Sequence, residues 1–130
     1  MNTINNDLGR LEQLMNLPAG VKRSEWQTGS FASRANDWWL AAVLEVEPRQ
    51  IPEFLQGSGT KEVFETPPGM ELTSFFAALR SFPGAQAAPS NQISLITETY
   101  GAGPYLKSPL LNGKAIRLSE NKILVVLWTN

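Results

Sequence analysis

The chain reads as a single α+β domain over residues 1–130, a largely antiparallel sheet of five to six strands with an N-terminal helix and a central helix packed on it. Three observations lead there. Apolar residues recur at helical spacing near the N-terminus and again from Leu72 to Phe82, so two amphipathic helices each need a surface to cover. Apolar runs of strand length occupy Trp38 to Glu47 and most of the chain after Ile93. The C-terminal strands follow one another without helices between them, which argues against a doubly wound parallel fold.

Ile4, Leu8, Leu11 and Met15 fall at i, i+4, i+7 and i+11 with Leu14 alongside, a single apolar stripe stopped by Pro18 and Gly20. Thr3 or Asn5 is positioned to cap this helix, and Asp7 suits the positive end of its dipole. Val21 to Thr28 reads as a half-polar strand, and Gly29 to Asp37 as a loop rich in Ser, Ala, Gly and Asn. In Trp38 to Glu47 the even positions Trp38, Leu40, Ala42, Leu44 and Val46 make one apolar face. The odd positions turn polar toward Glu45 and Glu47, as in a strand that starts inside a sheet and emerges from it. Pro48 and Pro52 then permit a short helix carrying Ile51, Phe54 and Leu55, ended by Gly57.

Lys61 to Thr66 fits a short edge strand before the break at Pro67-Pro68-Gly69. Leu72, Phe75, Phe76, Leu79 and Phe82 form the clearest helical stripe, ended by Pro83-Gly84. Residues 83–91 read as the most flexible segment. Beyond them strands are expected at Ile93 to Tyr100, Tyr105 to Leu111, Lys114 to Leu118 and Lys122 to Thr129. Asn112-Gly113 carries the signature of a two-residue type I′ hairpin turn, and Ser119-Glu120-Asn121 that of the next hairpin loop. The final strand is apolar on both sides from Ile123 to Trp128. Such a strand belongs at the centre of a covered sheet, with completion by a second subunit in a homodimer as the alternative. Periodicity places Trp38, Leu40, Leu44, Phe75, Phe76, Leu79, Ile93, Leu95, Val125 and Leu127 in the core.

The residue inventory restricts chemistry sharply. There is no histidine and no cysteine, which removes the usual near-neutral base, the thiolate nucleophile and the common zinc ligands. No metal and no cofactor is implied. Neither a nucleophile-elbow serine nor a phosphate-binding glycine loop is present. Eleven basic against twelve acidic residues leave a net charge of −1, and the only basic cluster, Lys22-Arg23, is too small for a nucleic-acid footprint. No apolar run is long enough to span a membrane. The polar start of the chain lacks a signal-peptide pattern, so a cytoplasmic location is expected, with export as the alternative if an upstream signal segment has been removed.

Glu45 and Glu47 share a strand face and form the one carboxylate pair with useful spacing, although a strand leaving the core is ordinarily polar there. In Tyr100-Gly-Ala-Gly-Pro-Tyr105, Gly101 and Gly103 open the backbone to close approach, and Tyr100 and Tyr105 offer rings with hydroxyl tips. The plain alternative is a wide turn between strands. The chain carries four tryptophans. Trp38 and Trp39 must point to opposite faces, and Trp39, sharing its face with Glu45 and Glu47, is the expected exposed indole.

By exclusion, the leading expectation is a non-catalytic domain that binds another protein as an inhibitor, immunity-type factor, adaptor or chaperone-like factor. Trp39, Tyr100, Gly101, Gly103 and Tyr105 are its candidate binding residues. The alternative is a small-ligand-binding domain with a pocket between sheet and helices, lined by Trp39, Tyr100 and Tyr105 with Arg34 or Arg117 meeting an anionic group. An enzyme ranks third and would depend on carboxylates such as Glu45 or Glu98.

Overall fold

A computed structural model describes residues 6–17, 19–31, 34–55, 60–65, 85–87, 93–117 and 120–129. The helical stripe from Leu72 to Phe82, with the core candidates Phe75, Phe76 and Leu79, lies outside them.

The described elements are α1 (Leu8–Leu14), β1 (Arg23–Phe31), β2 (Arg34–Glu45), α2 (Ile51–Phe54), β3 (Thr60–Glu65), β4 (Ala85–Ala87), β5 (Ile93–Gly101), β6 (Asn112–Arg117) and β7 (Lys122–Trp128). They form one sheet, antiparallel at every pairing, in the order β1-β2-β7-β6-β5-β3 with β4 also on β5. The α+β class and the antiparallel sheet agree with the sequence. The strand count does not, because the sheet has seven strands rather than five or six. Part of the excess is β4, which arises inside the segment read as flexible. Ala85, Gln86 and Ala87 pair with Leu95, Ser94 and Ile93. Since β3 also pairs with Ser94 and Leu95, β3 and β4 occupy opposite edges of β5.

The apolar run at the C-terminus takes the central position its two-sided character requires. β7 pairs with β2 through Leu40↔Leu127, Ala42↔Val125 and Leu44↔Ile123, and with β6 through Ala115↔Val125 and Gly113↔Leu127. Ile123, Leu124, Val125, Val126 and Leu127 are all buried. Both edges being filled within the chain, a dimer formed through this strand has no place to form.

The pairing register divides the side chains between two faces. Trp26, Leu40, Ala42, Leu44, Ala115, Ile123, Val125 and Leu127 lie on the first face, in one cluster with Leu11 and Met15 of α1, Ile51 and Phe54 of α2, and Ala102, Tyr105 and Leu110 of the β5–β6 connection. Trp38 packs against this cluster while only partly buried. The even-numbered apolar face of β2 is thus the floor of the core, as its alternation indicates. Ile93 and Leu95 take positions in β5.

Helix α1 is held at three points. Its N-cap is Asp7 rather than Thr3 or Asn5, the carboxylate accepting from Arg10 N at 3.1 Å. This satisfies one of the donors a helix start leaves free. The Trp26 indole donates to Asp7 O at 3.2 Å. At the other end Asn16 N donates to Tyr105 O at 3.0 Å, its side-chain amide to Leu106 O at 2.6 Å, and Lys107 Nζ to Glu12 O at 3.0 Å.

Three local expectations are corrected. Gly29 to Asp37 is not a loop: Gly29 to Phe31 extend β1, and Arg34 to Asp37 begin β2, with a register shift between Ser30 and Phe31. The long partner edge of β2 overrides the weak strand propensity of these small residues, and the shift absorbs the mismatch. Asn112-Gly113 is not a turn but the start of β6, facing Trp128 and Leu127. Its glycine answers a packing demand, since a Cβ there would lie 2.5 Å from both Leu127 Cδ2 and Val126 O. Tyr105 to Leu111 is not a strand. Gly103–Tyr105 form a 3-10 turn, followed by a tight return in which Lys107 and Leu110 exchange backbone hydrogen bonds of 3.2 and 2.7 Å.

Val125→Asp is expected to abolish cooperative folding, because an unpaired carboxylate in this position costs several kcal/mol, comparable to the stability of a whole domain. Urea denaturation measures it, and a variant melting close to the parent would remove β7 from the centre of the core. Gly113→Ala should lower stability by about 1–3 kcal/mol, since the new methyl meets backbone as well as a side chain.

Candidate functional site

On the second face, three rows of residues can be read across the strands from the register. The first runs Gly29, Trp39, Trp128, Asn112; the second Gln27, Ala41, Val126, Lys114, Gly101; the third Glu25, Val43, Leu124, Ile116, Thr99. Trp39, Ala41, Leu124, Val126 and Ile116 are buried yet stand outside the core cluster of the first face. The sheet therefore has a second face that is buried at its centre.

That face differs from the first in its polar atoms. Both amide atoms of Gln27, the Trp39 indole nitrogen and the Thr99 hydroxyl are buried and find no hydrogen-bond partner among the described residues. A buried polar atom without a partner costs about 1–3 kcal/mol, so proteins seldom keep one without a reason. Gln27 and Trp39 are diagonal neighbours on adjacent strands, with Ala41 opposite the first and Gly29 opposite the second. Diagonal pairs of this kind lie roughly 7–8 Å apart, within reach of long and aromatic side chains. Thr99 sits four strands away from Gln27, roughly 19 Å at ordinary strand spacing, and belongs to another part of the face. Ser24 Oγ is likewise buried and unpartnered, but on the first face, opposite Leu44.

The candidate residues taken from the sequence are not brought together. Trp39, expected to be the exposed indole, is 1% exposed, because the middle of its face, with Ala41, Val126 and Leu124, is buried too, while Glu25, Gly101 and Asn112 at the margins are exposed. Tyr105 is completely buried on the first face, and its hydroxyl donates to Phe54 O. Tyr100 packs beside the same cluster, half-buried. Gly101 and Gly103 are exposed with open space where a Cβ would stand. Arg117 lies at an exposed end of the first face, its guanidinium 3.4 Å from Glu120 O. A single pocket lined by Trp39 and both tyrosines is thus replaced by two separate environments on opposite faces.

Gln27 was not singled out by sequence. It lies in a half-polar strand, and only pairing with Ala41 shows that its side chain enters an apolar face.

The carboxylates form ion pairs at the end of the sheet. Lys22 Nζ lies 2.5 Å from Glu47 and Arg23 Nε 3.7 Å from Glu45. The hydrogen bond and charge of Lys22 hold the Glu47 carboxyl below its ordinary range. Among the described residues no group of three or more acidic side chains is placed to hold a metal ion, and no helix is long and apolar enough to cross a membrane. Comparison with known proteins finds no matching family, no matching curated protein and no matching solved structure.

Burial pushes the Tyr105 phenol well above its ordinary value of 10.0. The folded state then holds this proton at pH values where the unfolded chain releases it, so its contribution to stability is complete below pH 10 and is lost as pH rises further. Tyr105→Phe should be less stable at neutral pH by about 1–3 kcal/mol, the cost of leaving the Phe54 carbonyl unpaired. The variant should also lose stability less steeply between neutral and strongly alkaline pH. Denaturation curves across that range, parent against variant, check both statements.

Proposed function

We propose that this domain binds a small molecule on the second face of its sheet, at the corner formed by Gln27 and Trp39. One observation carries the reading: an amide and an indole N–H on adjacent strands are buried in the same corner without hydrogen-bond partners among the described residues. Binding sites are mostly apolar surfaces with a few polar groups set to converge on a ligand, and this corner has that make-up. The first face, by contrast, is filled by α1, α2 and the β5–β6 connection, and the hydroxyl of Ser24 is its one buried side-chain polar group without a partner among the described residues. The proposed site keeps Trp39 from the expected residues and replaces the tyrosines with Gln27.

Docking of another protein has a weaker footing. Leu111, at 59% exposed, is the large hydrophobic side chain most open to solvent among the described residues, and one leucine does not make an interface patch. Its specific support is β1, which ends the strand order and has one edge without a strand partner among the described residues. Such an edge accepts an added strand.

The test uses the Trp39 indole proton as its own reporter. In nitrogen-edited NMR spectra, a panel of neutral and charged metabolite-sized compounds should include some that shift the Trp39 Nε1–H resonance saturably and raise the melting temperature. At a ligand concentration a hundred times Kd the gain is about 2.7 kcal/mol. A panel that leaves that resonance and the melting temperature unmoved would overturn the proposal.

A further inference from the structure

Resting on that reading, we infer that the ligand is a neutral, planar heteroaromatic compound with a donor beside an acceptor on one edge, the amino-and-ring-nitrogen edge of adenine being the type. The inference follows from which atoms are unsatisfied. A carboxamide offers an acceptor oxygen and a donor nitrogen side by side, and both ends of Gln27 are buried and unpartnered among the described residues. A ligand that satisfied only one end would leave the other as costly as before, so the edge that fits presents both complements together. Glutamine meets the amino group and adjacent ring nitrogen of adenine in this two-point manner. The Trp39 indole can only donate, so a second acceptor on the same ligand completes the set.

Neutrality follows from the neighbours. Around Gln27 and Trp39 on this face stand Gly29, Ala41, Val126 and Trp128, none of them charged. Glu25, two residues along β1, is exposed, Lys114 lies two strands beyond Ala41, and the Asp37 carboxylate, two residues before Trp39 on β2, already accepts from the Thr129 hydroxyl at 2.9 Å. An anionic ligand would lose its hydration in this corner and meet no cation among the neighbouring described residues, and a cationic one would meet only a carboxylate already engaged by Thr129. Flatness follows from the floor, where Ala41 and Gly29 add little bulk between larger side chains.

The experiment titrates the whole chain with adenine, N6,N6-dimethyladenine, nicotinamide, benzoate and indole, reading the Trp39 Nε1–H resonance, and repeats the series with Gln27→Leu. Adenine and nicotinamide should bind. Dimethyladenine, which lacks the donor, should bind at least about tenfold more weakly, the share of a hydrogen bond made in a buried site. Gln27→Leu should bring adenine down to the same level. The unliganded variant should melt at or above the parent temperature, because it removes a buried amide with no partner among the described residues. Equal binding of adenine and dimethyladenine, or binding of indole or benzoate alone, would overturn this inference and leave the ligand-binding reading standing. A Gln27→Leu variant that melts well below the parent would show that the amide is structural and would overturn the inference on its own. Silence from every compound in the wider panel as well would overturn both.

Discussion

A strand that is apolar on both sides must have neighbours on both edges and cover on both faces, and β7 imposes that condition on the rest of the molecule. With β2 and β6 fixed beside it, the alternation along each partner decides what enters which face. Ala42, Val125 and Ala115 line up on one side, and Ala41, Val126 and Lys114 on the other. The first alignment meets the apolar stripes of α1 and α2 and becomes an ordinary core. The second takes in Gln27 of β1, the Trp39 indole of β2 and Thr99 of β5, and so it holds the polar atoms discussed above. The character of the candidate site is in that sense a by-product of where the central strand had to go.

What could be read from the sequence was whatever depended on local periodicity. The apolar face of β2, the short helix at Ile51 to Phe54, the edge position of β3 and the burial of β7 all follow from spacing along a single segment. What could not be read depended on partners distant in sequence. Trp38 and Trp39 differ by one position and were expected to differ in exposure the other way round. Which one is more buried is set by how each face is covered, and the strand itself carries no record of that. Asn112-Gly113 has the chemistry of a turn, but its glycine is there for the side of β7. Gln27 illustrates the same limit, for its significance exists only once it is paired with Ala41.

Tyr105 shows how a residue suited to recognition can be used for construction. Its ring fills the space between sheet and α2, its hydroxyl ties to Phe54 O, and its backbone carbonyl receives Asn16. Three segments distant in sequence meet at one side chain. The same amphipathic character that suits tyrosine to an interface suits it to a place where an apolar core reaches a polar backbone.

The location of β7 also has a bearing on how the chain reaches this state. The strand at the middle of the sheet comes last in sequence among the described strands, and its partner β2 lies far before it, Leu40 opposite Leu127. Pairings of such large sequence separation close slowly, since the intervening chain must be ordered before the contact repays it. Until then β1 and β2 form at most a hairpin with its apolar face bare, and α1 has only part of its seat, because the Tyr105 and Leu106 carbonyls that hold Asn16 are also made late. The apolar face of the β1–β2 hairpin therefore depends for its sheet neighbour on a single hydrophobic segment far away in the sequence.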